Sequence, residues 1–262
     1  MNNFRSALWA ELLKARRSMM SSMTAAGICL LPLAGALFIF ILKDPGRARQ
    51  MGLISAKANL MVGVAYWPAY FGILLQGTAT AGAIIFALIA AWVFGGEFSN
   101  HTAKELLALP TSRATIVAAK FVLLALWDAG LTVLLFLIGL LVGWLLDIPG
   151  WSIQLGILSL GSLMLIAVLT FMVMPLVALV ASAGRGYLPP MGWAFFTLAL
   201  AQIAAVLGWG DWVPWSVPAL FSGAAGAEAA HLGLHSYVVV LFSFFAGVAA
   251  TVLWWQRADQ SR

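Results

Sequence analysis

Long runs without charge divide this chain. A bilayer core of roughly 30 Å is crossed by about 20 apolar residues in a helix. Read against that length, the stretches with little or no charge predict six membrane-spanning helices, at 18–42, 70–95, 117–146, 152–183, 190–208 and 235–256. Pro68 puts the second span after residue 70, with an interfacial piece before it. Pro189 and Pro190 precede the fifth. Between Asp211 and Glu228 the uncharged run is too short to cross and reads as a re-entrant or interfacial segment. The first 17 residues predict an interfacial helix. Phe4, Leu8, Leu12 and Ala15 share one face, with Lys14, Arg17 and Ser6 opposite and Arg5 and Arg16 intruding on the apolar side. The fold class is therefore all-α, a polytopic membrane protein forming one transmembrane domain over 1–262.

Composition agrees: 63% of the 262 residues are hydrophobic and 9% are charged, against about 25% charged in soluble domains. The formal net charge of +5 is no nucleic-acid signal, because the basic residues sit at the ends of apolar runs. The N-terminus is basic and then apolar, like a secretory signal, but its uncharged run from Ser18 to Leu42 exceeds the roughly 7–15 residues of a signal core. It reads as a retained span. Cys29 is the single cysteine, which leaves no internal disulfide and no cysteine metal cluster.

Lys and Arg set the orientation. With the N-terminus inside, the inner segments carry Arg5, Lys14, Arg16, Arg17, Lys104, Arg113, Lys120, Arg185, Arg257 and Arg262. The outer ones carry Lys43, Arg47, Arg49 and Lys57. Both termini are thus expected inside. The first outer loop stands out as basic against that pattern. Tryptophans near the predicted span ends, such as Trp67, Trp144, Trp151, Trp209 and Trp254, fit an aromatic belt. Gly139 and Gly143 make a GxxxG in the third span, read as packing within the chain rather than as a dimer seam.

Ten charged residues lie between Ala58 and Gln256, and five of them (Glu97, Lys104, Glu105, Arg113, Lys120) fall in one 24-residue island. The island takes in most of the inner loop 96–116 and the start of the third span. Thr102 and Glu105 have capping-box spacing, AKELLAL follows as a short helix, and Pro110 ends it. Thr111 or Ser112 can cap the helix that runs on into the third span. Two readings stand side by side: a membrane-hugging turn, or a docking helix for a cytosolic partner.

The residues ALWAELLKARRS and GEFSNHTAKELLALPTSRATIVAAK resemble the permease subunits of type-2 ATP-binding-cassette (ABC) exporters, in the bacitracin- and lantibiotic-resistance branch. The island has that family's acidic start, T-x-K/R-x-L-L run, P-x-x-R turn and Lys entering the third span. The resemblance implies a permease with no ATPase of its own, in a bacterial inner membrane, paired with a second permease, identical or homologous, and with two cytosolic ATPase subunits that hold ATP and Mg. It implies that the 96–116 loop carries the coupling helix, at Glu97, Thr102, Lys104, Glu105, Leu106, Leu107, Pro110 and Arg113. It also implies that the N-terminal helix touches the ATPase, that short re-entrant helices lie between spans five and six, and that the cargo is an antimicrobial peptide or drug.

The chain has no G-x-x-x-x-G-K-[ST], H-E-x-x-H or G-x-S-x-G motif, so catalysis and a bound cofactor are not expected. Asp128, inside the third span, reads either as a substrate contact or as an internal partner of Gln76 or Gln202. Glu228, His231 and His235 share a helical face, read chiefly as solvated polar residues and secondarily as zinc ligands. The alternatives to an ABC exporter are an ATP-independent secondary transporter, which wants more midplane charge than Asp128, and a membrane enzyme, which wants a catalytic cluster.

Overall fold

The computed structural model describes residues 2–53, 65–99, 111–224 and 232–257. Among these the chain is helical with no strands. The helices are α1 (Asn2–Arg17), α2 (Met19–Lys43), α3 (Pro45–Gln50), α4 (Trp67–Gly77), α5 (Ala83–Ser99), α6 (Arg113–Leu145), α7 (Ile153–Ala183), α8 (Leu188–Val206), α9 (Val217–Phe221) and α10 (Leu234–Arg257). A π-helical segment, Thr78–Gly82, joins α4 to α5, so Trp67–Ser99 is one continuous rod. Among the described residues six rods are long and apolar enough to cross a membrane: α2, the α4–α5 rod, α6, α7, α8 and α10.

Local chemistry sets several helix starts. The Ser112 hydroxyl accepts from the Thr115 N–H and caps α6. Ser152 does the same for α7 through Leu155. Both satisfy a first-turn amide that the helix cannot. Proline in a first turn forfeits no hydrogen bond. The second rod therefore begins at Trp67 with Pro68 inside its first turn, rather than beyond the proline.

The α7 helix is apolar on all sides, as a helix that meets only other helices and lipid must be. It packs against α4, α5, α6, α8 and α10, and Met174, Val177, Ala178 and Ala181 are fully buried. On its far side, α6 receives α1 and α2. Gly139 and Gly143 admit α4: a Cβ at Gly139 would meet Leu74 and one at Gly143 would overlap the Trp67 ring. This GxxxG is an internal packing face. The described chain between α8 and α10 makes a 3-10 turn, Gly210–Trp212, and then α9. Val217 and Leu220 are buried there, and Ser216 donates to the Ala201 carbonyl.

The N-terminal helix lies against α6. Its inward face carries Leu8, Leu12 and Ala15 with Glu11 among them, and Glu11 is only 4% exposed. An acid on the packed face of an amphipathic helix needs a partner, and that partner defines the site below.

Candidate functional site

Four charges from three parts of the chain meet where the stems of the 96–116 loop leave the bundle. Glu11 and Lys14 come from α1, Glu97 from the last turns of α5, and Lys120 from the second turn of α6. Lys120 is fully buried. Its ammonium lies 2.9 Å from the Val93 carbonyl, 2.8 Å from Glu97 Oε1 and 3.1 Å from Glu11 Oε1. An ammonium has three donors, and here three acceptors surround it. Lys14 adds contacts of 2.7 Å to Glu97 and 3.4 Å to Glu11.

Two acids and two bases make the cluster formally neutral, which is what burial demands of charge. Burial disfavours the charge on Lys14. The attraction of Glu11 and Glu97, with hydrogen bonds to both, outweighs it and raises the Lys14 pKa above its ordinary value of 10.5. A cavity of about 330 Å³ adjoins the cluster, lined by Glu11, Lys14, Arg17, Trp92, Gly96 and Glu97.

The other stem is fastened separately. Arg113, the first residue of α6, donates from its guanidinium to the carbonyls of Trp255 and Gln256 at 2.9 and 3.1 Å. Those carbonyls end α10, where the helix supplies no amides for them and where its dipole attracts a cation. Nearby, the Trp255 indole donates to Ser182 of α7 at 3.0 Å.

Of the expected coupling positions, Glu97 and Arg113 are described, and both face inward onto partners of this chain. Thr102, Lys104, Glu105, Leu106, Leu107 and Pro110, with the capping box and the AKELLAL helix, lie outside the described residues. Sequence reasoning missed Glu11, Lys14 and Lys120 as site residues. The signal for Glu11 was present: it is the sole acid among the first 43 residues and sits at helical spacing with Leu8, Leu12 and Ala15.

Asp128 is 2% exposed, and neither carboxylate oxygen has a hydrogen-bond partner among the described residues. It reaches neither Gln76 nor Gln202. Both of these are exposed, each on its own helix. Asp128 instead borders a cavity of about 60 Å³ between α6 and α7, with Ala125, Ala129, Met164 and Phe171. A larger, mainly apolar cavity of about 350 Å³ lies between the π segment, α8 and α9. Thr80, Ile84, Phe195, Leu198, Gln202 and Trp215 line it, and the buried Trp215 Nε1 has no partner among the described residues. π segments of this kind cluster at functional sites.

His235 pairs with Asp211 at 2.9 Å and stacks on Trp212 at 4.5 Å. Glu228 and His231 lie outside the described residues, and among those described no group of three metal-ligating side chains comes together.

The model of the ABC-2 family transporter protein matches residues 7–201 of this chain. The bacitracin transport permease protein of Bacillus licheniformis is 25% identical over 182 residues, which cover 68% of this chain and 85% of that protein.

Proposed function

This chain belongs to the ABC-2 family of transporter proteins and is the membrane subunit of an ABC transporter; from that premise we propose that it exports an amphipathic or hydrophobic substrate, driven by a separate ATPase subunit. It is a multi-pass protein of the bacterial inner membrane. In the proposed complex the N-terminus and C-terminus are cytoplasmic. Two ATPase copies hold ATP and Mg, and this chain, paired with an identical or homologous permease, binds neither.

The single observation that supports coupling through the 96–116 loop is the four-charge cluster at its root. A push on the loop enters α5 through Glu97 and α6 through Lys120. It enters α1 at the same time, because Glu11 and Lys14 share the same contacts. Arg113 extends the linkage to the end of α10. On this reading Glu97 and Arg113 are stem fasteners, and Thr102, Lys104, Glu105, Leu106, Leu107 and Pro110 meet the ATPase. Movement of the fastened helices as a unit then alternates access across the membrane.

The cargo reading rests on chemistry of two kinds. The 350 Å³ cavity offers mainly apolar walls with Thr80 and Gln202 among them, which suits an apolar body bearing a hydrogen-bonding group. Asp128 suits a cationic or polar group. The bacitracin permease relative fits a peptide antibiotic of that description.

The test is reconstitution with an ABC ATPase that copurifies with this chain. Glu105→Arg and Leu107→Asp should each insert normally and lose substrate-stimulated ATP hydrolysis. Normal copurification and export by both variants would reduce the loop to a turn. Export by this chain without any ATPase would replace the exporter reading with a secondary transporter.

A further inference from the structure

We propose that the cavity at the opposite end of α2 and α6 from the ion cluster binds an anionic phospholipid, with its phosphate on Lys43 and Arg47 and its hydrocarbon against the helix ends. The cavity, about 470 Å³, has Ile39, Phe40, Leu145 and Leu146 on its apolar side and Lys43, Asp44 and Arg47 at its charged rim. This is the two-part chemistry of a lipid rather than of a soluble ion, which has no use for a hydrocarbon wall.

The rim is arranged to leave positive charge available. Asp44, whose Oδ1 accepts from the Arg47 amide at 2.9 Å and caps α3, offsets one of the two cations, so Lys43 and Arg47 leave the rim one positive charge in excess. Lys43 is held in place by the carbonyls of Leu146 and Asp147, at 3.2 and 3.3 Å. Neutral carbonyls position its ammonium without cancelling its charge. The guanidinium of Arg47 has no acceptor among the described residues, and neither Asp44 nor the exposed Asp147 forms an ion pair there with an arginine. Arg49, also exposed, belongs to the same short helix as Arg47.

The level within the membrane also fits. Trp144 and Trp151 lie at the same end of the bundle, with ring centres 6.1 Å apart, and Trp144 is mostly exposed. Indoles settle at the headgroup boundary, where a phosphate sits with its chains running inward. A bound anionic lipid also accounts for the basic loop that departs from the charge asymmetry of the chain. Lys and Arg near an anionic headgroup gain from its charge, so the loop keeps them where the orientation rule would remove them.

The inference rests on the membrane-spanning reading and not on ATP coupling, so a lipid-binding experiment tests it separately. Full-length protein is delipidated in detergent and titrated with phosphatidylglycerol or phosphatidylethanolamine, with retained lipid counted by native mass spectrometry. Phosphatidylglycerol should bind about tenfold tighter, the step that corresponds to one decade in Kd. The Lys43→Gln/Arg47→Gln double variant should lose that preference. Leu145→Trp, which keeps every charge and puts an indole on the apolar wall, should lose it too, and Arg5→Gln at the other end should keep it. For the unaltered protein the preference should shrink as salt rises from about 50 mM to about 500 mM. Excess inorganic phosphate should not displace the lipid. Equal binding of the two lipids by the unaltered protein, an unchanged preference in the double variant or in Leu145→Trp, or displacement by inorganic phosphate would each overturn the assignment.

Discussion

Lys120 and Glu97 meet at 2.8 Å across the root of the 96–116 loop, where both side chains are almost entirely excluded from solvent. They belong to consecutive membrane rods, α5 and α6. Glu11 approaches the same ammonium at 3.1 Å, so the pair is also the point to which α1 is fixed. Removing one member of such a buried group leaves its partner's charge uncompensated.

Lys120→Met should therefore destabilise the protein by about 3–5 kcal/mol, seen as a lowered unfolding midpoint in detergent. Glu97→Leu in the same chain should restore part of the loss, because the remaining Lys14 and Glu11 can still pair. A double-mutant cycle on melting measures this. Strictly additive losses would show that the two residues do not act together.

Lys14 makes the attachment of α1 sensitive to strong alkali. Its pKa is raised in the fold above 10.5. A group shifted upward contributes stability that is complete below its unfolded pKa and is lost as pH rises through its folded pKa. Amide protection factors in α1, which divide out the base catalysis of hydrogen exchange, should accordingly be constant through neutral pH and fall only beyond about pH 10.5, the range set by the raised Lys14 pKa. Lys14→Gln should lower that protection already at neutral pH, and Lys14→Arg should not.

Arg113→Gln removes the cation that holds the last carbonyls of α10. A hydrogen bond to a charged group contributes about 1.5–3 kcal/mol. The loss should appear as local fraying, read by faster amide exchange at 253–257, with the middle of α10 unchanged. Uniform loosening of the whole helix would contradict a capping role.

Asp128 carries its carboxyl group inside a span with no partner among the described residues. On insertion scales an Asp at the centre of a membrane helix costs about 2.5–3.5 kcal/mol. Asp128→Leu should raise the melting temperature. Asp128→Asn and Asp128→Leu should both lower export while leaving ATPase copurification intact. Unchanged export by both variants would remove Asp128 from the substrate path.

Much of the architecture was legible because it follows from local chemistry. A cap at Thr111 or Ser112 is read from residue type and position, and the structure selects Ser112; the cap at Ser152 appears only in the structure. The uncharged runs foretell the six apolar rods, since hydropathy sums over neighbours in sequence. The glycine pair at Gly139 and Gly143 announced close packing, although the sequence does not say that Trp67 and Leu74 fill the space. The π segment TATAG carries no period or motif that separates it from α-helix. Its hydroxyls, Thr78 and Thr80, bond to carbonyls four residues back, a habit of threonine in any membrane helix.

By itself the sequence determined where the chain is apolar enough to leave water and where its charge gathers, because both are properties of contiguous residues. The tertiary structure alone decided which charges meet. Lys14 and Glu97 are 83 positions apart, and Arg113 reaches carbonyls more than 140 positions away. Such pairings depend on distances between helices, which no residue pattern along one helix contains. Glu11 and Lys120, each anomalous on its own apolar face, become intelligible once folding places them 3.1 Å apart, because a buried charge is tolerated only beside its opposite.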